Sequence, residues 1–158
     1  MFKKIILSLI CTIFSLNSYG MPVSIVNLKK DIEKIIKEIG NISIEKLMPT
    51  DLVIVSSRIP ELANEKASGL NDKEYKEVKK HYEARYLLLI MWSAFDYYRK
   101  TSNPDLLKEI LVQLQSFTAN SLQNTLIGEE YNSYCELLVE VLTLMNPEGN
   151  EEAILNFV

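Results

Sequence analysis

Tyr86-Leu87-Leu88-Leu89-Ile90-Met91-Trp92-Ser93-Ala94-Phe95 decides the fold. Only Ser93 in this run is polar, so a helix built from it has no side to offer to water. The run is too short to cross a bilayer, which leaves one reading: a helix surrounded by other helices. The surrounding sequence extends it to a central helix over 72–100. Asn71 followed by Glu74 resembles a capping box, and Thr101-Ser102-Asn103-Pro104 stops the helix.

Toward the C-terminus, Asn103 caps the next helix, with Pro104 at its first position and Asp105 favourable to the helix dipole. Its stripe is Leu107, Ile110, Leu111, Leu114, Phe117, Ser121 and Leu122, which predicts a helix running to about Thr125 and breaking at Gly128. A last helix, from about Glu129 to Met145, uses Tyr131, Tyr134, Cys135, Leu138, Val141, Leu142 and Met145. Pro147 and Gly149 end it. The tail from Ala153 to Val158 is apolar and is expected to pack back onto the bundle; the alternative is a peptide offered to a partner.

Toward the N-terminus, Ile25, Leu28, Ile32, Ile35 and Ile39 step by 3 and 4, with Ile36 widening the stripe. That spacing predicts an amphipathic helix over 24–39, capped by Ser24 and ended by Gly40-Asn41. Residues 43–68 are punctuated by Pro49 and Pro60. Ser43 is expected to cap a short helical turn through Met48. Leu52-Val53-Ile54-Val55 is β-branched enough for a strand, but no other stretch would pair with it, so helix is preferred. Pro60 is then placed in the first turn of a short helix ending near Gly69. The fold expected is an all-α bundle of four to five helices, in one domain over 21–158.

Residues 1–20 read differently. Lys3 and Lys4 precede an apolar run from Ile5 to Leu16, and Ser18-Tyr19-Gly20 supplies small residues where a signal peptidase cuts. This predicts a signal peptide removed after Gly20, and a product that is periplasmic in a Gram-negative host and otherwise secreted. A lipid anchor on Cys11 is disfavoured, because Ile10 before it is large and Cys11 sits inside the apolar run. No transmembrane segment is expected in the processed chain.

The whole chain carries 17 basic and 21 acidic residues. Without Lys3 and Lys4 the basic total is 15 and the net charge −6. That balance argues against nucleic acid and favours a basic protein partner. After processing only Cys135 remains, and it reads as a buried, inert thiol.

Catalytic signals are sparse. The single histidine, His81, stands four residues after Glu77, half of a zinc site with no second half in the sequence. A di-iron bundle needs Glu-x-x-His pairs that the chain lacks. There is no nucleophile elbow and no Gly-rich phosphate loop, and no carboxylate pair stands out from the many on solvated faces. No metal, no cofactor and no enzymatic activity are expected, with an unrecognised carboxylate-based site as the enzymatic alternative.

One pattern is sharper. His81, Arg85, Leu88, Trp92, Phe95 and Arg99 step by 4, 3, 4, 3, 4 along one face of the central helix. Trp and Arg dominate binding hot spots. His81, Arg85, Trp92, Phe95 and Arg99 are therefore the candidate binding residues, weighed against ordinary core packing with paired arginines. The function expected is a non-enzymatic protein-binding module of the cell envelope, of the immunity- or inhibitor-protein kind. The alternative is a carrier or sensor holding a small apolar ligand between helices near Tyr82, Tyr86, Met91, Trp92, Phe95 and Phe117.

Overall fold

The apolar run lies in the middle of a thirty-residue helix that touches every other helix of the bundle. The structure, a computed structural model, describes residues 25–146. Among them are five α-helices: α1 (Ile25–Ile39), α2 (Pro49–Ala67), α3 (Asp72–Thr101), α4 (Pro104–Ala119) and α5 (Glu129–Met145). Two 3-10 turns, Ile44–Lys46 and Leu122–Thr125, join α1 to α2 and α4 to α5. The described residues include no strand. The all-α bundle expected from the sequence is the observed fold.

α3 is central for the reason its sequence implies. Tyr86, Ile90, Ala94 and Phe95 are fully buried, and Met91 and Leu88 nearly so. α1 brings Leu28, Ile32, Ile35 and Ile36 to this core, α2 brings Leu52, Val55 and Ile59, α4 brings Leu106, Ile110, Leu114 and Phe117, and α5 brings Leu137, Leu138 and Val141. Removing this apolar surface from water is the main force holding the helices together.

The caps are local chemistry. Asn71 Oδ1 accepts from the Glu74 amide at 3.0 Å, and Asn103 Oδ1 accepts from the Asp105 amide at 3.0 Å. Asp51 Oδ2 accepts from the Met48 amide at 3.1 Å, so the aspartate serves the start of α2 from inside its first turn. α1 ends where Gly40 and Asn41 turn left-handed, at φ +77° and +60°; these residue types tolerate that conformation.

Three expectations are corrected. Pro60 does not open a separate helix; it lies inside α2, which runs unbroken from Pro49 to Ala67. Pro60 is exposed, and α2 continues across the missing donor because its opposite face, with Leu52, Val55, Ile59 and Leu62, is held in the core. α4 ends at Ala119 rather than Thr125, and Ser121 turns left-handed at φ +56° before a 3-10 turn. Cys135 is buried as expected but is not a free thiol: it is disulfide-bonded. Two stripe members also face water, Ile25 at the start of α1 and Met145 at the end of α5.

The signal peptide, Cys11, the Ser24 cap, the stop at Pro147 and Gly149, and the apolar tail lie outside the described residues. No described helix is long and apolar enough to cross a membrane.

Candidate functional site

The five candidate residues share one stripe of α3, but the structure divides them into two nodes. Arg85, one turn after His81, is buried, with 2% of its surface exposed. Its Nη1 donates to the His81 carbonyl at 2.8 Å, and its Nη2 donates to the Thr125 carbonyl at 2.9 Å and to Glu130 Oε1 at 3.0 Å. Nε lies 2.8 Å from Glu130 Oε2. The guanidinium is thus spent inside the protein, tying α3 to the second 3-10 turn and to the first turn of α5. Burial lowers the Arg85 pKa, and Glu130 opposes that shift. Burial likewise raises the Glu130 carboxyl, and Arg85 pulls it back. His81 is half-buried, with its ring edge-on to Tyr82 at 5.7 Å between centroids.

Two turns further along, Trp92, Phe95 and Arg99 meet. Phe95 is buried, stands edge-on to the Trp92 ring at 5.9 Å and stacks on Tyr98 at 5.9 Å. The Arg99 guanidinium lies 4.7 Å from the Phe95 ring centroid and 5.8 Å from that of Trp92. Its Nη2 donates to Glu140 Oε2 at 2.6 Å and its Nη1 to Asp96 Oδ1 at 3.4 Å. Two rings and two carboxylates together restrict the orientation of a side chain that remains 47% exposed. The Trp92 indole N–H is buried and makes no hydrogen bond. Of the five candidates, Arg99 is exposed, Trp92 and His81 are partly exposed, and Arg85 and Phe95 lie inside.

Sequence reasoning missed Glu130 and Glu140, the carboxylates that organise the two nodes. A signal was present. No Lys, Arg or His occurs after Lys108, while α5 alone carries Glu129, Glu130, Glu136 and Glu140. Arginines on a neighbouring helix are the natural counterions for such a segment.

A further node locks the other side of α3. The Tyr86 hydroxyl donates to Asp31 Oδ2 at 2.7 Å, and Lys66 Nζ lies 3.1 Å from the same oxygen. Helices α1, α2 and α3 meet there. Burial, and then the bond to Asp31, push the Tyr86 hydroxyl far above its ordinary pKa. Tyr86, Met91, Phe95 and Phe117, expected around an apolar ligand, are all core residues. Among the described residues no three His, Cys, Asp or Glu side chains group as a metal site would need. No protein-family model, curated protein or solved structure matches this chain.

Proposed function

We propose that this chain is an exported, non-enzymatic protein-binding module of the cell envelope, acting as an immunity or inhibitor protein toward a basic partner. The observation that carries the reading is the Trp92–Arg99 cluster: a half-exposed arginine held in one orientation over two aromatic rings by Glu140 and Asp96. Fixing the side chain in advance reduces the entropy lost on binding. Charge supports the same reading, since helix α5 beside the cluster carries acidic residues and no basic ones. The contact residues proposed are Trp92 and Arg99 with His81 at the margin; Arg85 and Phe95 support them from within.

The test is capture from an envelope extract of the native host at low salt, with the partner identified and its affinity measured. Trp92→Ala should weaken that affinity by about 2 kcal/mol or more. A fall of about 3–5 kcal/mol in fold stability with affinity unchanged would assign Trp92 to packing instead. Recovery of no stoichiometric partner would remove the reading's support.

Export is tested separately. N-terminal sequencing of the exported product should begin at Met21. Cleavage after Gly20 leaves Cys135 as the sole cysteine, so export with cleavage and an intramolecular disulfide exclude one another. Thiol titration of the exported product decides between them.

A further inference from the structure

A groove of about 330 Å³ lies between α1, the first 3-10 turn and the C-terminal half of α3, with Asp96 on the border between it and the Arg99 cluster. Its floor is apolar: Ile44 is buried, and Leu89 and Tyr97 are half-buried. Its rim carries Lys29 and Lys100, with Glu45 and Asp96.

The rim offers donors that the protein leaves unused. Among the described residues, Lys29 and Lys100 make no ion pair and the Tyr97 hydroxyl makes no hydrogen bond. Ser93 differs, because its hydroxyl donates to the Leu89 carbonyl at 3.0 Å. Asp96 is engaged by Arg99. The charges left to a ligand are two ammonium groups against the single carboxylate of Glu45. That balance favours an anion, and ammonium and phenol donors suit a carboxylate or phosphate oxygen. The volume falls at the lower end of small-molecule sites, which limits the ligand's size.

The geometry points to a binding site for a small amphipathic anion. A carboxylate or phosphate group is held by Lys29, Lys100 and the Tyr97 hydroxyl, and a short apolar body rests on Leu89 and Ile44. The site is independent of the protein-partner reading.

The test uses the full chain with hexanoate, hexyl phosphate and inorganic phosphate as probes, read by melting temperature and calorimetric titration. Hexanoate and hexyl phosphate should raise the melting temperature, and inorganic phosphate, which cannot use the floor, should bind more weakly. The Lys29→Gln/Lys100→Gln variant should lose about tenfold or more in affinity, as the loss of two charge-assisted hydrogen bonds implies. Both lysines are exposed, so this variant should melt like the parent without ligand; Lys76→Gln, on an exposed position of α3 outside the groove, should bind like the parent. Phosphatidylglycerol vesicles separate two sources of the same chemistry. Co-sedimentation that the double variant loses assigns the anion to a lipid headgroup, and binding of the soluble probes without co-sedimentation assigns it to a free molecule. No stabilisation by any probe, or equal binding by the double variant, overturns the proposal.

Discussion

Two arginines of α3 reach two glutamates of α5, and the pairs differ in almost everything except their chemistry. Arg85 and Glu130 approach to 2.8 Å with the arginine side chain 1% exposed, while Arg99 and Glu140 approach to 2.6 Å with both side chains nearly half exposed. The shorter pair is the weaker one. Around Arg99, water screens the attraction and would solvate either partner alone. The Arg85 side chain is buried while Glu130 keeps 25% of its side chain exposed, so it is the arginine's charge that depends on its counterion and on the two carbonyls that accept from it. Surroundings, more than separation, set what an ion pair contributes.

The largest expected effect follows directly. Glu130→Ala leaves a buried guanidinium without a counterion and should cost about 3–5 kcal/mol, measured by urea unfolding. Arg85→Met/Glu130→Leu removes both charges and should cost less than the single change, because the expensive state is the unpaired charge. A loss of only a few tenths for Glu130→Ala would mean that Arg85 is not dry, and the contrast between the two pairs would collapse.

Alkaline pH tests the same dryness one turn along α5. Tyr134 stacks on Phe117 and its hydroxyl bonds that of Thr118 at 2.6 Å. Burial pushes its pKa up from 10.0 to about 12. A phenol held neutral by folding contributes stability that is fully present below pH 10. That stability is lost as pH rises toward 12, because the unfolded chain ionises first and so is favoured. The loss should be roughly 2–3 kcal/mol. Tyr134→Phe should start less stable, for want of the Thr118 bond, and then lose less between pH 9 and 12. Tyr86 and Tyr131 are also raised by burial, so some decline will persist. Equal declines in parent and variant would show that the inner face of α5 is wet.

The legible and illegible parts of the molecule divide along similar lines. The apolar run from Tyr86 to Phe95 announced a surrounded helix, because every residue of it is buried or partly buried against its neighbours. The bounds of α5 and the caps at Asn71 and Asn103 were legible because each depends on residues within a turn of one another. Pro60 misled because the local rule for proline leaves out tertiary packing, and the buried face of α2 holds the helix together across it. The early end of α4 was hidden because Leu122 continues the stripe and is buried, but reaches the core from a 3-10 turn. Arg85 was legible as a member of the stripe and, in the core-packing alternative, as a paired arginine, but its counterion was not legible, since Glu130 lies 45 residues away. A separation of 41 residues hid Glu140, and the groove beside Lys29 depends on two helices whose packing no local pattern specifies.

The smallest expected effect is the most useful for function. Arg99→Ala removes two exposed ion pairs, to Asp96 and Glu140, and a cation held beside the buried Phe95 ring and the partly exposed Trp92 ring, together worth about 1 kcal/mol of fold stability at low salt. Added salt should shrink the difference between parent and variant, whereas the loss in Glu130→Ala should change little, because screening acts on exposed charges. A fold left nearly intact makes Arg99→Ala a clean probe of recognition. If the Trp92–Arg99 cluster is the contact, the variant should lose about 2 kcal/mol or more of partner affinity, well beyond its loss of stability. A stability loss rivalling that of Glu130→Ala would break the comparison between the two pairs. A full retention of affinity would leave the comparison standing and move the contact elsewhere on the surface.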